Sequence, residues 1–317
     1  MPVSEQAAGP PPAGRSGAGW PAVGGLADLG QRLERAGYLP DRGLVAAAFL
    51  ALRMRRPLFL EGDPGVGKTT FAGALARALA ARLVRLQCHG GIDAAQALYD
   101  WNFPRQLLTL RAIGEGGRTG AVPQLYGPEF LVRRPILDAL QDGPVVLLID
   151  EIDRADDEFE ALLLEVLDSY TVTIPELGRI RAELPPLVVL TSNQTREVHD
   201  ALKRRCLYHW IAHPDPAREV AILHRRVDRL PAALAGRIAA GMQRLRAAGQ
   251  LVKAPGVAES IDLASAVREL GATDLTTEIV DQVISTVAKH QSDREQVRAA
   301  LLSGPPEPPL PEPREPP

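Results

Sequence analysis

An α/β fold, with a parallel sheet covered by helices on both faces and a smaller all-helical domain after it, is predicted by three features of this 317-residue chain. The segments VVLLID (145–150) and LVVLTSN (187–193) are apolar over most of their length, as strands buried on both faces must be. Helical patterns separate these runs from one another and from an earlier apolar run, PLFLEG. From about His213 onward the patterns are helical, with no strand run between them.

The elements follow in order. Residues 1–25 and 303–317 are rich in Pro and Gly and read as disordered tails. Leu26–Gly37 and Leu44–Arg55 read as helices, the second capped by Asp41. PLFLEG is a strand, Thr69–Ala81 a helix, and RLVRLQC (82–88) a second strand. Residues 89–130 read as irregular, with GEGG at 114–117 marking a loop. After the strand at 145–150, Asp156–Tyr170 is a helix with Phe159, Leu162, Leu163, Val166 and Leu167 on its inner stripe. TVTIPELGRIRAEL is a hairpin turning near Glu176–Gly178, and the strand at 187–193 follows. Helical patterns then run through HPDPAREVAILHRRV, AALAGRIAAGMQRLRAA, AESIDLASAVREL and TTEIVDQVISTVAKH. The expected division is residues 26–212 for the α/β domain and 213–302 for the helical one.

Composition narrows the function classes. A net charge of -3 gives no overall attraction to nucleic acid, and no basic stripe with interleaved aromatics appears. No apolar run approaches the roughly 20 residues a membrane span requires, and the N-terminus lacks the basic start and apolar core of a signal peptide. Two cysteines, Cys88 and Cys206, cannot form a disulfide framework, so a reducing, cytoplasmic setting is expected. Cys206, His209 and His213 lack a fourth partner for a metal site, and Cys88 lacks the base and third group of a nucleophile.

The motifs then specify chemistry. Gly62-Asp63-Pro64-Gly65-Val66-Gly67-Lys68-Thr69 fits G-x-x-x-x-G-K-[ST] between a strand and a helix. Such a loop wraps its N–H groups around a polyphosphate at the positive end of a helix; Thr70 follows on that helix. Lys68 is expected to reach the β/γ-phosphates and the Thr69 hydroxyl to ligate Mg²⁺. Asp150 ends a strand at the same sheet edge and would hold Mg²⁺ through water, while the adjoining Glu151 orients and polarises the attacking water. Asn193 ends the next strand, where a neutral amide can hold that water or touch the γ-phosphate. Arg204 and Arg205 supply guanidinium groups suited to a phosphoryl transition state. Gln87 or His89, beside the Asp150 strand, could contact Glu151.

The ordered set of phosphate loop, Asp-Glu strand, hairpin, T-S-N strand and late arginines resembles an AAA+ ATPase of the MoxR branch. LLIDEIDRA (147–155) is similar to that branch's D-E-I-N-R-A, and the stretches at 86–108, 168–178 and 191–214 resemble the CoxD-like ATPases of carbon monoxide dehydrogenase maturation operons. The resemblance covers about residues 26–290. It implies a P-loop NTPase domain with a helical lid, ATP and Mg²⁺ as ligands, and a ring, usually a hexamer, with ATP between neighbours. It further implies chaperone-like remodelling, a von Willebrand factor A domain partner, and a metalloenzyme client such as the large subunit of a molybdenum hydroxylase. Carried over by position, Lys68 and Thr69 serve the phosphate loop, Asp150 the Mg²⁺, Glu151 the water and Asn193 the sensor role. Arg205 is the first choice for an arginine finger and Arg204 the second, and the 168–184 hairpin would face the ring's centre. Tyr38, Leu39 and Pro40 would border the adenine, since family members place that pocket before the first strand. The lid arginine of the family has no counterpart in PGVAESIDLASAV (255–267), and the spacing of Arg268 does not match. A GTP-dependent switch and a non-hydrolysing scaffold are the alternatives; no N-K-x-D stretch follows the phosphate loop, and an intact Glu151 weighs against the scaffold.

Overall fold

The computed structural model describes residues 19–114, 125–140 and 143–304. Helices α1 (Leu26–Arg35) and α2 (Arg42–Met54) lead into β1 (Leu58–Glu61), and the Asp41 carboxylate caps α2 by accepting the Leu44 N–H at 2.7 Å. Then come α3 (Lys68–Ala78), β2 (Arg82–Gln87), α4 (Ala94–Ala97), β3 (Tyr99–Trp101) and α5 (Phe103–Gly114). β4 (Leu131–Arg133), α6 (Pro135–Ala139), β5 (Val145–Asp150) and α7 (Asp157–Ser169) follow. The hairpin β6 (Thr171–Ile174) and β7 (Gly178–Arg181), then β8 (Leu187–Ser192), α8 (Asp200–Arg205) and β9 (Leu207–Trp210) complete the α/β part.

The sheet has the order β2-β5-β8-β1-β9, every pair parallel. Strand alternation divides its side chains between two cores. Leu58, Leu60, Val146, Leu148, Leu187 and Val189 pack against α1, α2 and α3, whereas Phe59, Leu147, Ile149, Val188 and Leu190 pack against α6 and α7. Both faces are therefore covered, which is why these strands are apolar throughout. Burying each such Leu or Phe contributes about 1.5–3 kcal/mol. The arrangement also brings the carboxyl ends of β1, β5 and β8 to one edge, where Glu61, Asp150 and Ser192 emerge.

Three expectations are corrected. Residues 89–130 are not irregular throughout: α4, β3 and α5 lie there, and β3 pairs antiparallel with β4. The helix escapes a periodicity search because Phe103, Leu107, Leu108 and Leu110 are exposed while Gln106 is buried, so burial does not follow hydrophobicity. Of the GEGG loop, residues 115–117 lie outside the described residues, and Gly114 ends α5. The proposed N-terminal tail is ordered in its last residues. Val23 is buried in the core under α1, and the Trp20 indole donates to the Pro185 carbonyl at 3.3 Å, so two apolar side chains suffice to pin a Gly-rich stretch. Residues 1–18 and 305–317 lie outside the described residues. β9 was not anticipated; its pattern is only four residues long, and pairing with β1 rather than propensity makes it a strand.

After β9 the chain is helical: α9 (Pro216–Arg226), α10 (Ala232–Ala248), α11 (Val257–Glu269), α12 (Thr277–Val283) and α13 (Arg294–Leu302) surround a core that includes Leu223, Ile238, Met242, Leu263, Val280 and Leu301. The segment expected as one helix from Thr276 to His290 is α12 followed by a 3₁₀ turn at Ile284–Thr286; its run of β-branched residues disfavours a longer helix. Inside the bundle, Arg246 forks onto Glu219 at 2.7 and 2.8 Å, the Ser260 hydroxyl donates to Glu219, and Arg246 Nε donates to the Pro255 carbonyl. This buried network holds the start of α11 in place. From there the Val257 N–H donates to the Gly65 carbonyl at 3.0 Å, docking the bundle on the glycine loop after β1.

Gly256 permits that approach: a Cβ there would lie 2.7 Å from Gly65 Cα and 2.8 Å from the Pro64 carbonyl oxygen. Gly256→Ala is therefore expected to part the two segments, at a cost of about 1–3 kcal/mol. Hydrogen exchange checks this, since the Val257 and Ala258 amides should exchange about tenfold faster than in the wild type.

Candidate active site

The glycine loop takes its shape from what surrounds it. Gly62 leaves β1 with φ +154°, and a Cβ there would sit 2.3 Å from the Ile211 carbonyl oxygen, so no side chain fits as the chain passes β9. Gly67 caps α3 in the left-handed region at φ +98°. Lys68 opens that helix and is buried; its Nζ donates to the Gly62 and Asp63 carbonyls at 2.6 and 2.9 Å. Burial lowers the Lys68 pKa, and the carboxylates of Asp153, Asp63, Asp150 and Glu151 oppose that shift.

Asp150 ends β5 with 2% exposure, and its carboxylate gathers three side chains. Thr69 Oγ1, on the first turn of α3, lies 3.0 and 3.1 Å from the two oxygens. The Thr191 hydroxyl donates at 2.5 Å and the Arg85 guanidinium at 2.6 Å. Thr191 also accepts the Glu151 N–H at 3.0 Å, which fixes the backbone of Glu151 in the left-handed region at φ +55°. A non-glycine residue held there at a strand end is strained, and here the turn directs its carboxylate between two amide donors and the paired guanidinium of Arg154. They are Gln87 Nε2 at 3.2 Å, Asn193 Nδ2 at 3.3 Å and Arg154 Nε at 2.9 Å. Asn193 is held in turn by buried Asp153, which accepts the N–H groups of Asn193 and Thr195 at 3.2 and 2.8 Å.

Two adjoining clefts meet at the loop. The polar one, about 210 Å³, is lined by Gly65, Lys68, Thr69, Asp150, Glu151, Thr191 and Asn193 among others, with Ala258 of α11 on its far wall. The other, about 230 Å³, shares Gly65, Gly67 and Thr70 and is lined by apolar side chains including Leu39, Ile211, Ile222 and Ile261, together with Tyr38. One cleft suits a polyphosphate and the other a flat base. A hydroxyl and a carboxylate meeting at hydrogen-bond distance beside the loop form a hard oxygen donor set, which fits Mg²⁺.

Most residues singled out in the sequence converge here. The loop from Gly62 to Thr70, Asp150, Glu151 and Asn193 surround the clefts or build the loop, and Asp63 reaches away to His213 at 3.2 Å. Of the two residues paired in expectation with Glu151, Gln87 makes the contact and His89 does not; the His89 ring faces the Gly90 carbonyl. Tyr38 and Leu39 line the apolar cleft and Pro40 does not. Arg204 and Arg205 do not line the polar cleft. Arg205 is tied to α7 through the Leu164 carbonyl and Asp168, whereas exposed Arg204 has no side-chain partner among the described residues. Arg268 pairs with Glu269 at the far end of α11. Burial pushes the Cys88 and Cys206 thiols up to about 12, which favours the protonated thiol, and among the described residues no group of three or more His, Cys, Asp or Glu side chains could hold a metal.

Sequence reasoning missed Thr191, Asp153, Arg154 and Arg85. Thr191 carries a readable signal, standing two residues before Asn193 on a strand and so on the same face. Thr191→Val keeps the shape but leaves the Glu151 N–H unpaired. It should lower stability by about 1–3 kcal/mol in denaturant unfolding, with Thr191→Ser recovering most of the loss.

Residues 57–206 match the AAA domain (dynein-related subfamily). The chain is 33% identical over 145 residues to the ATP-dependent protease ATP-binding subunit-like protein AmiB of Pseudomonas aeruginosa, spanning 44% of this chain and 35% of that protein. It is 32% identical over 124 residues to Protein MoxR of Methylorubrum extorquens, spanning 39% of this chain and 30% of that protein. The chain thus spans about a third of the length of these relatives. The Thermotoga maritima RuvB Holliday junction branch migration motor superposes with a TM-score of 0.45 at 19% identity, covering 80% of this chain and 68% of that one. Among the described residues no helix is long and apolar enough to cross a membrane. The glycine loop, the adjoining Asp150 and Glu151, and the parallel five-stranded sheet all lie within or border the residues, 57–206, that are similar to the AAA domain, and their arrangement is that of a P-loop α/β fold.

Proposed function

We propose that the chain binds Mg·ATP in the two adjoining clefts and hydrolyses it. The observation that carries this reading is the meeting of Thr69, Asp150, Glu151 and Asn193 at the mouth of the glycine loop. Lys68 would exchange its two loop carbonyls for the β/γ-phosphates. Thr69 and Asp150 would hold Mg²⁺, Asp150 through water, and the ion supplies charge neutralisation at those phosphates. Glu151 would take the proton of the attacking water, with Asn193 orienting that water. The apolar cleft beside Tyr38 would take the adenine.

Beyond hydrolysis, we read residues 26–212 as the nucleotide-binding domain and 213–302 as its lid, in a cytoplasmic ring of MoxR type. The relative named MoxR and the match to the AAA domain support this reading. Since neither Arg204 nor Arg205 lines the cleft, either would act on a neighbour's nucleotide; Arg204, whose side chain has no partner among the described residues, is the better placed. ATP turnover would drive remodelling of a client, and the resemblance of residues 86–108 and 191–214 supports assembly of a molybdenum hydroxylase such as carbon monoxide dehydrogenase, with a von Willebrand factor A domain partner.

Glu151→Gln should bind Mg·ATP with affinity near that of the wild type and lose turnover by about 100-fold or more, the usual contribution of a general base. Phosphate release and calorimetry measure the two quantities. Equal turnover in the two proteins would favour the scaffold reading, and preference for GTP in competition would favour the switch.

A further inference from the structure

β2 carries two polar residues of one parity, Arg85 and Gln87, on the side of the sheet that holds Asp150, while Val84 and Leu86 point into the opposite core. One guanidinium nitrogen, Arg85 Nη2, donates to the Asp150 carboxylate at 2.6 Å and to the Gln87 side-chain carbonyl at 2.5 Å. Fixing that carbonyl fixes the other end of the amide, because its oxygen and nitrogen lie on opposite arms. Gln87 Nε2 then faces Glu151 Oε2 at 3.2 Å. A continuous path of charge-assisted hydrogen bonds therefore runs from Asp150 to Glu151.

We propose that Arg85 is a resident cation at Asp150 that competes with the incoming divalent ion and, on leaving, releases Gln87 and so frees Glu151. The inference rests on the Mg·ATP reading above. Three hydrogens converge on the Asp150 carboxylate here: Thr191 donates to one oxygen, Arg85 to the other, and the single Thr69 hydroxyl hydrogen lies between the two. The oxygen that Arg85 occupies becomes available to a metal-bound water when Arg85 withdraws, while Thr69 can offer a lone pair to the ion and keep its hydrogen on Asp150. Like charge favours the withdrawal, since a guanidinium and a divalent ion on one carboxylate repel. Arg85 can leave at little loss, its side chain being 51% exposed at the edge of the sheet, whereas the Asp150 side chain is 3% exposed and cannot follow. Gln87 then loses the contact that orients it, and Glu151 keeps Asn193 and Arg154 while gaining freedom to meet water. Arg85 is in this sense a positioning residue, acting on Glu151 through Gln87.

The test is a Mg²⁺ titration of the binding of a fluorescent, non-hydrolysable ATP analogue to the full chain, with a parallel titration of the analogue in EDTA. In Arg85→Ala the Mg²⁺ concentration at half-saturation should fall by about threefold or more, a discounted effect because the arginine is half exposed to solvent screening. Metal-free binding should be unchanged, and Arg85→Lys should restore the wild-type midpoint. An unchanged midpoint in Arg85→Ala would overturn the proposal. So would a higher midpoint or weaker metal-free binding, either of which would make Arg85 a phosphate ligand. Failure of the wild type to bind the analogue at all would instead overturn the nucleotide reading beneath it.

Discussion

The carboxylate of Asp150 is the interaction on which the site depends. It is buried at the end of a strand that is itself buried on both faces, and it is held there by hydroxyls from α3 and β8 and a guanidinium from β2. Burying a carboxylate without partners would be prohibitive, so three elements of the sheet and the helix after the glycine loop are tied to one point. Thr191 extends the tie by pairing with the Glu151 backbone, and the strained turn that follows sets the second carboxylate beside the first. Position, rather than unusual chemistry, distinguishes these two acids: one faces the helix that begins at Lys68, the other faces the cleft.

The helical bundle takes part through its backbone. Gly256 and Val257 meet the loop at Gly65, while the buried Arg246–Glu219–Ser260 network fixes the segment that makes the contact. Ala258 stands where the cleft ends, so the bundle closes the site with a small side chain and a helix start. A displacement of α11 is therefore transmitted directly to the glycine loop, beside which the Glu259 carboxylate accepts the Gly256 N–H. Arg268 stands at the other end of α11, at about 1.5 Å per residue along a thirteen-residue helix.

Much of this could be read in the sequence where burial and hydrophobicity agree. The three central strands, the glycine loop, α7 with its apolar stripe and the hairpin all announce themselves through period or composition. α5 does not, because its large apolar residues are exposed, and β9 does not, because four residues carry too little pattern. In the site, Asp150, Glu151, Lys68 and Thr69 are legible from type and spacing. Thr191 is legible only through its spacing from Asn193, and Arg85 is not legible at all, since its role comes from register between strands: Gln87 stands opposite Asp150, which places Arg85 one pleat back on the same side. Register is a tertiary property, and no local rule encodes it. The same limit applies to Arg204 and Arg205, whose difference lies in the neighbouring helix α7 rather than in their own positions.

The most direct measurement of the central claim is a crystal structure of the chain with Mn²⁺ in place of Mg²⁺ and a non-hydrolysable ATP analogue, using the anomalous signal of the metal. The account predicts one peak between the glycine loop and Asp150, bound directly by the Thr69 hydroxyl, with a water linking it to the Asp150 carboxylate. A nucleotide seated in the clefts with the metal remote from both side chains, or a metal peak with no phosphate along residues 62–69, would contradict it.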